Sequence, residues 1–134
     1  MISIDVSVLD AAVDRLAVTL KDSLLACDIW DVDTGLSLAG HNQQPTAVAL
    51  FNEMTKRMNS TLEQSGWSNV DSSFLLELEG GRIVQVLLFG GGIMGGMLVD
   101  AAKVNLGILV NVAVPRMFQD IVPAIDEARA RSRG

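Results

Sequence analysis

The sequence predicts one mixed α/β (α+β) domain of 134 residues with the element order α-β-β-α-β-β-β-α. Three observations lead to this prediction. Apolar residues recur at helical spacing in the first and middle segments, the period changes to two after Trp67, and glycine clusters separate strand-like runs further on. No internal repeat or linker interrupts the pattern, so a single domain is expected over residues 1–134, with a core at 7–120 and a C-terminal helical extension and basic tail at 121–134.

A first helix is predicted over about residues 7–22, with Ser7 as its N-cap. Two short apolar runs follow, Leu24–Trp30 and Leu36–Ala39, and the Asp and Gly residues of segment 31–35 between them favour a turn. The two runs are therefore expected to form a hairpin. The apolar positions of the helix are Leu9, Val13, Leu16, Ala17 and Leu20.

A second helix is predicted from Pro45-Thr46 to Gln64, with Gly66 as its C-terminal stop. It carries an apolar stripe on one side and polar residues on the other. Such a stripe usually faces the core, although Met is also adaptable enough for a partner-binding surface. The stripe consists of Leu50, Phe51, Met54, Met58 and Leu62, and the polar side of Glu53, Lys56, Arg57 and Ser60.

Three strands are predicted in the second half of the chain. Val70–Glu79 alternates apolar and polar residues, as a half-exposed strand does, and Gly80-Gly81 favours a two-residue hairpin turn. Arg82–Phe89 and Ile93–Ala101 are apolar on both faces, which is typical of central strands. The turn between them is expected at Gly90-Gly91-Gly92.

A last helical region is predicted from Asn105-Leu106-Gly107 onwards. Pro115 and Pro123 lack the N–H that a helix interior uses, so they are expected to kink or split it. The apolar residues that share one side are Leu109, Val112, Ala113, Met117, Ile121, Ile125 and Ala128.

Composition excludes or disfavours several classes of protein. Hydrophobic residues make up 49% and charged residues 19% of the chain, which excludes an intrinsically disordered protein. A net charge of -6 and a pI near 4.5 disfavour nucleic-acid binding, which depends on clustered Lys and Arg. Cys27 is the only cysteine, so no intrachain disulfide can form, and the N-terminus does not resemble a signal peptide. A cytoplasmic location is therefore expected.

The glycine-rich segment Ile83–Val99 suggests two functions that its details disfavour. It is just long enough to span a bilayer, but its five glycines favour two buried strands, so no membrane insertion is expected. Gly90, Gly92 and Gly95 match the G-x-G-x-x-G pattern of dinucleotide-binding folds. A strand-like run follows them and no acidic residue stands about twenty positions on, so no nucleotide cofactor is predicted.

No catalytic or metal-binding group is predicted elsewhere. Asp33-Thr34-Gly35 matches the aspartic-protease triplet, but such enzymes are almost wholly β, whereas a helix begins about ten residues later. A calcium loop starting at Asp31 would place Gly35 at a ligand position and has no closing Glu. His41 is the only histidine and Cys27 lies in an apolar run, which disfavours a metal cluster or a Cys-His pair.

The element order and three segments resemble the roadblock/LC7 family over about residues 7–120. These segments are the turn at 31–35, the run Arg82–Phe89 and, above all, Ala101-Ala102-Lys103-Val104-Asn105-Leu106-Gly107. The resemblance implies a five-stranded antiparallel sheet flanked by helices, dimerisation by edge-strand pairing and no catalytic residues. It also implies service as a dynein light chain, as a GTPase scaffold or, in bacteria, as a partner and regulator of small Ras-like GTPases. Pro115, Pro123 and the arginine-bearing tail depart from the family's pattern.

Two interfaces are expected from the residues and this resemblance together. Val70–Glu79 is a candidate edge strand, and pairing with its copy would cover that edge in a homodimer. A Ras-like GTPase is expected on the polar side of the second helix, where Arg57 is a candidate charge donor if hydrolysis is stimulated in trans. The alternative is a solvated helix face with an internal Glu53/Arg57 pair. The predicted dimer residues are Val70, Ser73, Leu75, Glu77, Met54 and Met58, and the predicted partner-binding residues are Glu53, Lys56, Arg57 and Ser60.

A rival interpretation is a small-molecule sensor or enzyme in which part of the high proportion of apolar residues lines a ligand pocket. The absence of an obvious set of convergent polar residues in the sequence disfavours it. Binding of a protein partner without catalysis is the preferred hypothesis.

Overall fold

A computed structural model describes residues 3–133 of the chain, and Met1, Ile2 and Gly134 of the predicted domain lie outside the described residues. The elements follow the predicted order, with the last helical region divided into three continuous parts. They are α1 Val6–Leu20, β1 Leu24–Asp31, β2 Ser37–His41, α2 Pro45–Gln64, β3 Ser73–Leu78, β4 Arg82–Gly90, β5 Ile93–Asp100, α3 Leu106–Ile108, a π-helical turn Leu109–Ala113 and α4 Val114–Arg133.

The five strands form one antiparallel sheet in the order β2-β1-β5-β4-β3. The predicted five-stranded antiparallel sheet is therefore confirmed, and the two runs predicted as central strands are indeed β4 and β5. Helices α1 and α4 cover one face, whereas α2 lies on the other. The sheet ends in two edge strands, β2 and β3.

The face under α1 and α4 holds the larger apolar core. Leu9 and Leu16 of α1 and Ile121 of α4 are almost inaccessible to solvent and pack with the sheet residues Ile29 and Leu87. Burial of such side chains stabilises a fold by roughly 1.5–3 kcal/mol each relative to exposure. This face therefore contributes most of the apolar stabilisation of the protomer.

The start of α1 corrects the predicted N-cap. Asp5, rather than Ser7, caps the helix, because its Oδ1 accepts a hydrogen bond from the Ser7 backbone N–H at 3.0 Å. The Ser7 hydroxyl also donates to Oδ1 at 2.6 Å. These hydrogen bonds hold the pKa of Asp5 below its ordinary value, since they stabilise the carboxylate form.

The last helical region is not split by its prolines. The Asn105 side chain caps its start by accepting from the Ile108 N–H at 3.1 Å. In the π turn the Val114 N–H donates to the carbonyl of Leu109, five residues back. Only Val114 separates this wider turn from Pro115, which has no N–H of its own to donate. Pro123 lies inside α4 without ending it.

This helical region, Leu106–Arg133, is long and apolar enough by length and composition to cross a membrane. A third of its most apolar window is buried in the protein, on the side that packs against α1 and the sheet. Length and composition alone are weak grounds for a membrane span, since core helices of soluble proteins meet the same test. The stretch predicted from sequence as the membrane alternative, Ile83–Val99, instead forms β4, a turn and most of β5.

The segment before β4 differs from its prediction in two ways. The strand is shorter than 70–79, because Val70 donates its N–H to Asn59 Oδ1 of α2 at 2.9 Å and does not join the sheet. The turn between β3 and β4 has three residues, not two, since Leu78 pairs with Arg82. Gly80 and Gly81 both have positive φ, which explains the glycine pair.

Candidate protein-interaction surface

Hydrogen bonds attach α2 to the sheet. Asp28 Oδ2 accepts from the backbone N–H of Gln44 at 3.0 Å, directly before the helix. One turn of helix after Val48, Asn52 accepts from Trp30 Nε1 at 3.2 Å and donates to the Val32 carbonyl at 2.9 Å. These bonds set which side of α2 faces the sheet.

The buried side of α2 is not the predicted apolar stripe. Its buried residues are Val48, Asn52 and Thr55. Leu50 is 65% exposed, and the other members of the stripe are half-buried, namely Phe51, Met54, Met58 and Leu62. At about 3.6 residues per turn, Met54 and Met58 lie roughly a quarter turn or more from the buried line. The expectation that the stripe faces the core holds for Phe51, which packs against the apolar cluster between α2 and the sheet, but is wrong for Leu50, Met54 and Met58.

This stripe lies on the flank of α2 that is turned toward β3. Ala47 and Phe51 of α2 line the same cavity as Leu78, the last residue of β3. Within residues 3–133, β3 pairs with β4 and has no strand on its outer side. A half-exposed apolar helix flank and an open strand edge therefore adjoin each other.

The predicted dimer residues fall on both sides of this edge. Met54 and Met58 belong to the stripe, on the α2 side of the sheet. Leu75 pairs with Gln85 and Glu77 with Ile83, and Ile83 belongs to the core under α1 and α4, so Ser73, Leu75 and Glu77 point to that opposite side. Val70 precedes β3.

Sequence reasoning missed the residues of β3 that share the α2 side. They are Phe74, Leu76 and Leu78, of which Leu78 is 41% exposed. The alternation in segment 70–79 contained the signal, since these three residues are its apolar set. They were left out of the predicted dimer interface because the polar set was chosen for it.

All four predicted partner-binding residues are exposed on α2. Glu53 pairs with Lys56, with Oε1 and Nζ 3.7 Å apart, and not with Arg57 as the alternative interpretation expected. The hydroxyl of Ser60 accepts from Gln64 Nε2 at 3.0 Å. The polar side is thus a mixed, solvated surface on the flank of α2 away from β3.

The glycine-rich segment forms a hairpin, as predicted, and the strand β5, not a helix, follows its turn directly. Gly91 adopts a φ of +63° and lies so close to α4 that a methyl group there would be 2.5 Å from Ile125 Cγ2. Gly95 lies against the Phe89 ring and Gly96 against the Trp30 ring. Close packing accounts for these glycines without a phosphate group.

Asp31 and Cys27, two of the other candidate groups, occupy structural positions. Asp31 Oδ2 accepts from the Thr34 N–H and hydroxyl at 3.1 and 2.8 Å, which stabilises the turn after β1. Cys27 is buried in β1, and desolvation raises the pKa of its thiol to about 12. Across residues 3–133, no group of three or more His, Cys, Asp or Glu side chains is arranged to hold a metal ion.

Solved structures match the fold over most of the chain. MglB from Myxococcus xanthus matches with a TM-score of 0.79 at 14% identity, over 96% of this chain and 95% of that one. The gliding protein MglB from Thermus thermophilus matches with a TM-score of 0.73 at 16% identity, over 95% and 97%. A roadblock/LC7 domain from Streptomyces avermitilis gives 0.64 at 15% identity, over 85% and 94%.

No family model and no curated protein matches the sequence. At identities this low, the structural matches establish the fold and nothing finer. The chain has the roadblock/LC7 fold, and the predicted resemblance is confirmed at that level.

Proposed function

We propose that this protein is a non-catalytic, dimeric adaptor or regulator that acts in the cytoplasm by binding another protein, a Ras-like small GTPase. The observation that carries the proposal is the half-exposed apolar flank of α2 beside the open edge of β3. A surface of this kind favours protein contact over catalysis. The likeness to MglB, one example of which has a tetrameric arrangement, supports assembly.

The proposed homodimer pairs β3 with its copy in antiparallel orientation. This pairing supplies partners for the backbone groups of the open edge and brings the two α2 stripes together on one side of a continuous sheet. Isologous contacts of this type are the commonest way in which identical chains associate. Light scattering at micromolar concentration should therefore give the mass of a dimer.

A charge placed in the stripe should dissociate this dimer. Met58→Glu is the direct variant, and Leu75→Lys tests the other side of β3. Leu36→Glu is the matched control, because Leu36 is an exposed leucine in the turn between β1 and β2, away from the β3 edge. A monomeric wild-type protein, or equal behaviour of Met58→Glu and Leu36→Glu, would contradict the homodimer.

The GTPase contact is proposed on the polar side of α2, at Glu53, Lys56, Arg57 and Ser60. A mixed polar surface suits a reversible partner whose contacts change with its nucleotide state. The test is a pull-down with a candidate small GTPase loaded with GTP or GDP, in which Lys56→Glu/Arg57→Glu should weaken binding. Lys103→Glu is the control, since Lys103 is also exposed but pairs with Asp22, outside α2. Failure in both nucleotide states, or indifference to the α2 charge reversal, would count against this site.

The rival small-molecule function has one observation in its favour, an apolar cavity of about 210 Å³ between α2 and the sheet. That volume lies below the roughly 300–1,000 Å³ of typical ligand pockets. Its polar residues Asp28 and Gln44 already hold the start of α2. A thermal-shift screen against nucleotides and metabolites tests this function, because a ligand that binds the folded state raises the melting temperature.

A further inference from the structure

An exposed tryptophan lies in the loop after α2. Trp67 is 71% exposed, although an indole offers one of the largest apolar surfaces of any side chain. The loop is ordered by hydrogen bonds, since the Trp67 N–H donates to the Leu62 carbonyl at 2.9 Å after a turn at Gly66. Exposed, well-placed tryptophans are typical anchors of protein interfaces.

The cavity of about 210 Å³ lies under the opposite, N-terminal half of the same helix. Three small residues line it, Ala47 on α2 and Ala26 and Gly96 on the sheet. The rest of its lining is mostly apolar and includes Phe51, Leu78 and Trp30. A cavity of about 150 Å³ accommodates benzene, so this one has the scale of the larger indole ring system.

The same cavity offers a buried hydrogen-bond acceptor in Asp28. The two oxygens of Asp28 accept from the Ser37 hydroxyl at 2.7 Å and from the Gln44 N–H at 3.0 Å. A carboxylate has about four lone-pair sites, so Asp28 has capacity for another donor. An indole needs such an acceptor for its N–H when it is buried. The cavity is thus mainly apolar with two polar side chains, Asp28 and Gln44, of which Asp28 is the buried acceptor, and an indole is apolar with one donor.

The direction of β3 relative to α2 brings the two features together in a dimer. The C-terminal half of α2 adjoins the segment that leads into β3, because Asn59 Oδ1 accepts from the Val70 N–H, and the N-terminal half adjoins Leu78 at the end of β3. Helix and strand therefore run in opposite directions. When β3 pairs antiparallel with its copy about a two-fold axis, the end of the partner's α2 comes next to Leu78.

We propose that the Trp67 side chain of each protomer inserts into the cavity between α2 and the sheet of its partner, with the indole N–H directed toward Asp28. The insertion requires the homodimer proposed above and adds a specific anchor to it. Two equivalent anchors, one at each end of the paired strands, would set the register of the dimer.

Quenching of tryptophan fluorescence by acrylamide tests the position of the indole. The protein contains two tryptophans, and Trp30 is buried, so Trp67→Phe reports the signal of Trp30 alone. With an inserted Trp67, the wild-type dimer should be quenched little more than Trp67→Phe. A strongly quenchable component present in the wild type and absent from Trp67→Phe would overturn the proposal.

Dimer dissociation constants provide a second test. Trp67→Ala should raise the constant by about tenfold or more, as loss of an aromatic anchor does, and Trp67→Phe by less. Val18→Ala is the control, because Val18 is an exposed apolar residue on α1. Ala47→Met fills the cavity from α2, so it should weaken the wild-type dimer but cause no further loss in the Trp67→Ala background.

The outcomes separate this insertion from the homodimer itself. A dimer whose Trp67 stays quenchable, or whose affinity Ala47→Met does not lower, would retain the proposed assembly and remove the insertion. It would leave the cavity to a small ligand or to other side chains of the partner. A monomer by light scattering would remove both.

Discussion

The two faces of the sheet differ in how they are covered. Two helices close one face with a continuous apolar core, in which Leu9, Ile29 and Ile121 are fully buried. One helix closes the other face, and Asp28 and Asn52 attach it through hydrogen bonds. The first arrangement suits stability of the protomer, whereas the second leaves apolar surface for a partner. In the proposed assembly, folding and association therefore depend on different sides of the same sheet.

The largest expected effect lies in the α1/α4 core. Ile121→Ala should lower the free energy of unfolding by about 2–5 kcal/mol, because the cavity left in a packed core adds to the lost apolar burial. Met54→Ala, at a half-exposed position on α2, should lower it by about 1 kcal/mol or less. Urea unfolding in the Met58→Glu background, where the protomer is expected to be monomeric, measures both. Equal losses of unfolding free energy for Ile121→Ala and Met54→Ala would contradict the inferred difference in packing between the two faces of the sheet.

The turn between β4 and β5 tests how tightly α4 is held on the same core. Gly91 and Gly92 both have positive φ, so Ala costs about 1–2 kcal/mol of backbone strain at either position. At Gly91 the methyl group would also meet Ile125, whereas nothing lies within 4 Å of it at Gly92. Gly91→Ala should therefore lower the free energy of unfolding by about 1–3 kcal/mol more than Gly92→Ala does, as measured by thermal or urea unfolding. Similar losses of unfolding free energy for the two variants would show that α4 shifts easily to accommodate the added methyl group.

On the α2 face, the largest effect is expected at Asn52. Asn52→Ala leaves the Trp30 indole N–H and the Val32 carbonyl without their partner, which should cost about 1–3 kcal/mol. Detachment of α2 should also expose Trp30, so its fluorescence becomes more accessible to acrylamide in the Trp67→Phe background. Thr55→Ala is the control, because the Thr55 hydroxyl donates to Phe51 within the helix itself. A loss no larger than that of Thr55→Ala would mean that apolar contacts alone hold α2.

The order of elements and the hairpins could be predicted because their signals are local. Glycine turns such as Gly80-Gly81, and changes of hydrophobic period, mark where each element ends. The orientation of α2 could not be predicted in this way. Its pattern favoured Met54 and Met58 as the core side, but Asn52 occupies that side because its amide finds Trp30 and Val32, which are distant in sequence. Hydrogen bonds between residues that are distant in sequence produce no periodic pattern in the sequence.

The bounds of the candidate site were missed for a related reason. The start of β3 was predicted at Val70, but a hydrogen bond to Asn59 across the loop holds that residue outside the sheet. The π turn before Pro115 also satisfies a local constraint that a proline signal alone cannot specify. The sequence therefore predicted the two elements of the candidate surface, α2 and β3, while the side chains exposed on that surface follow from the packing.

The smallest effect on stability is expected on the polar side of α2. The Glu53–Lys56 pair is exposed and spans 3.7 Å, so Glu53→Gln should change the free energy of unfolding by about 0.5 kcal/mol or less. Salt should reduce even that difference, since exposed charges are screened. The same substitution becomes informative in the pull-down with a GTPase, because a residue that contributes nothing to the protomer can still contribute to a complex. Loss of binding without loss of stability would assign this side of α2 to the partner. A loss of stability well above about 0.5 kcal/mol would show instead that the polar side supports the attachment of α2, and that the two faces of the sheet are less different than their contacts suggest.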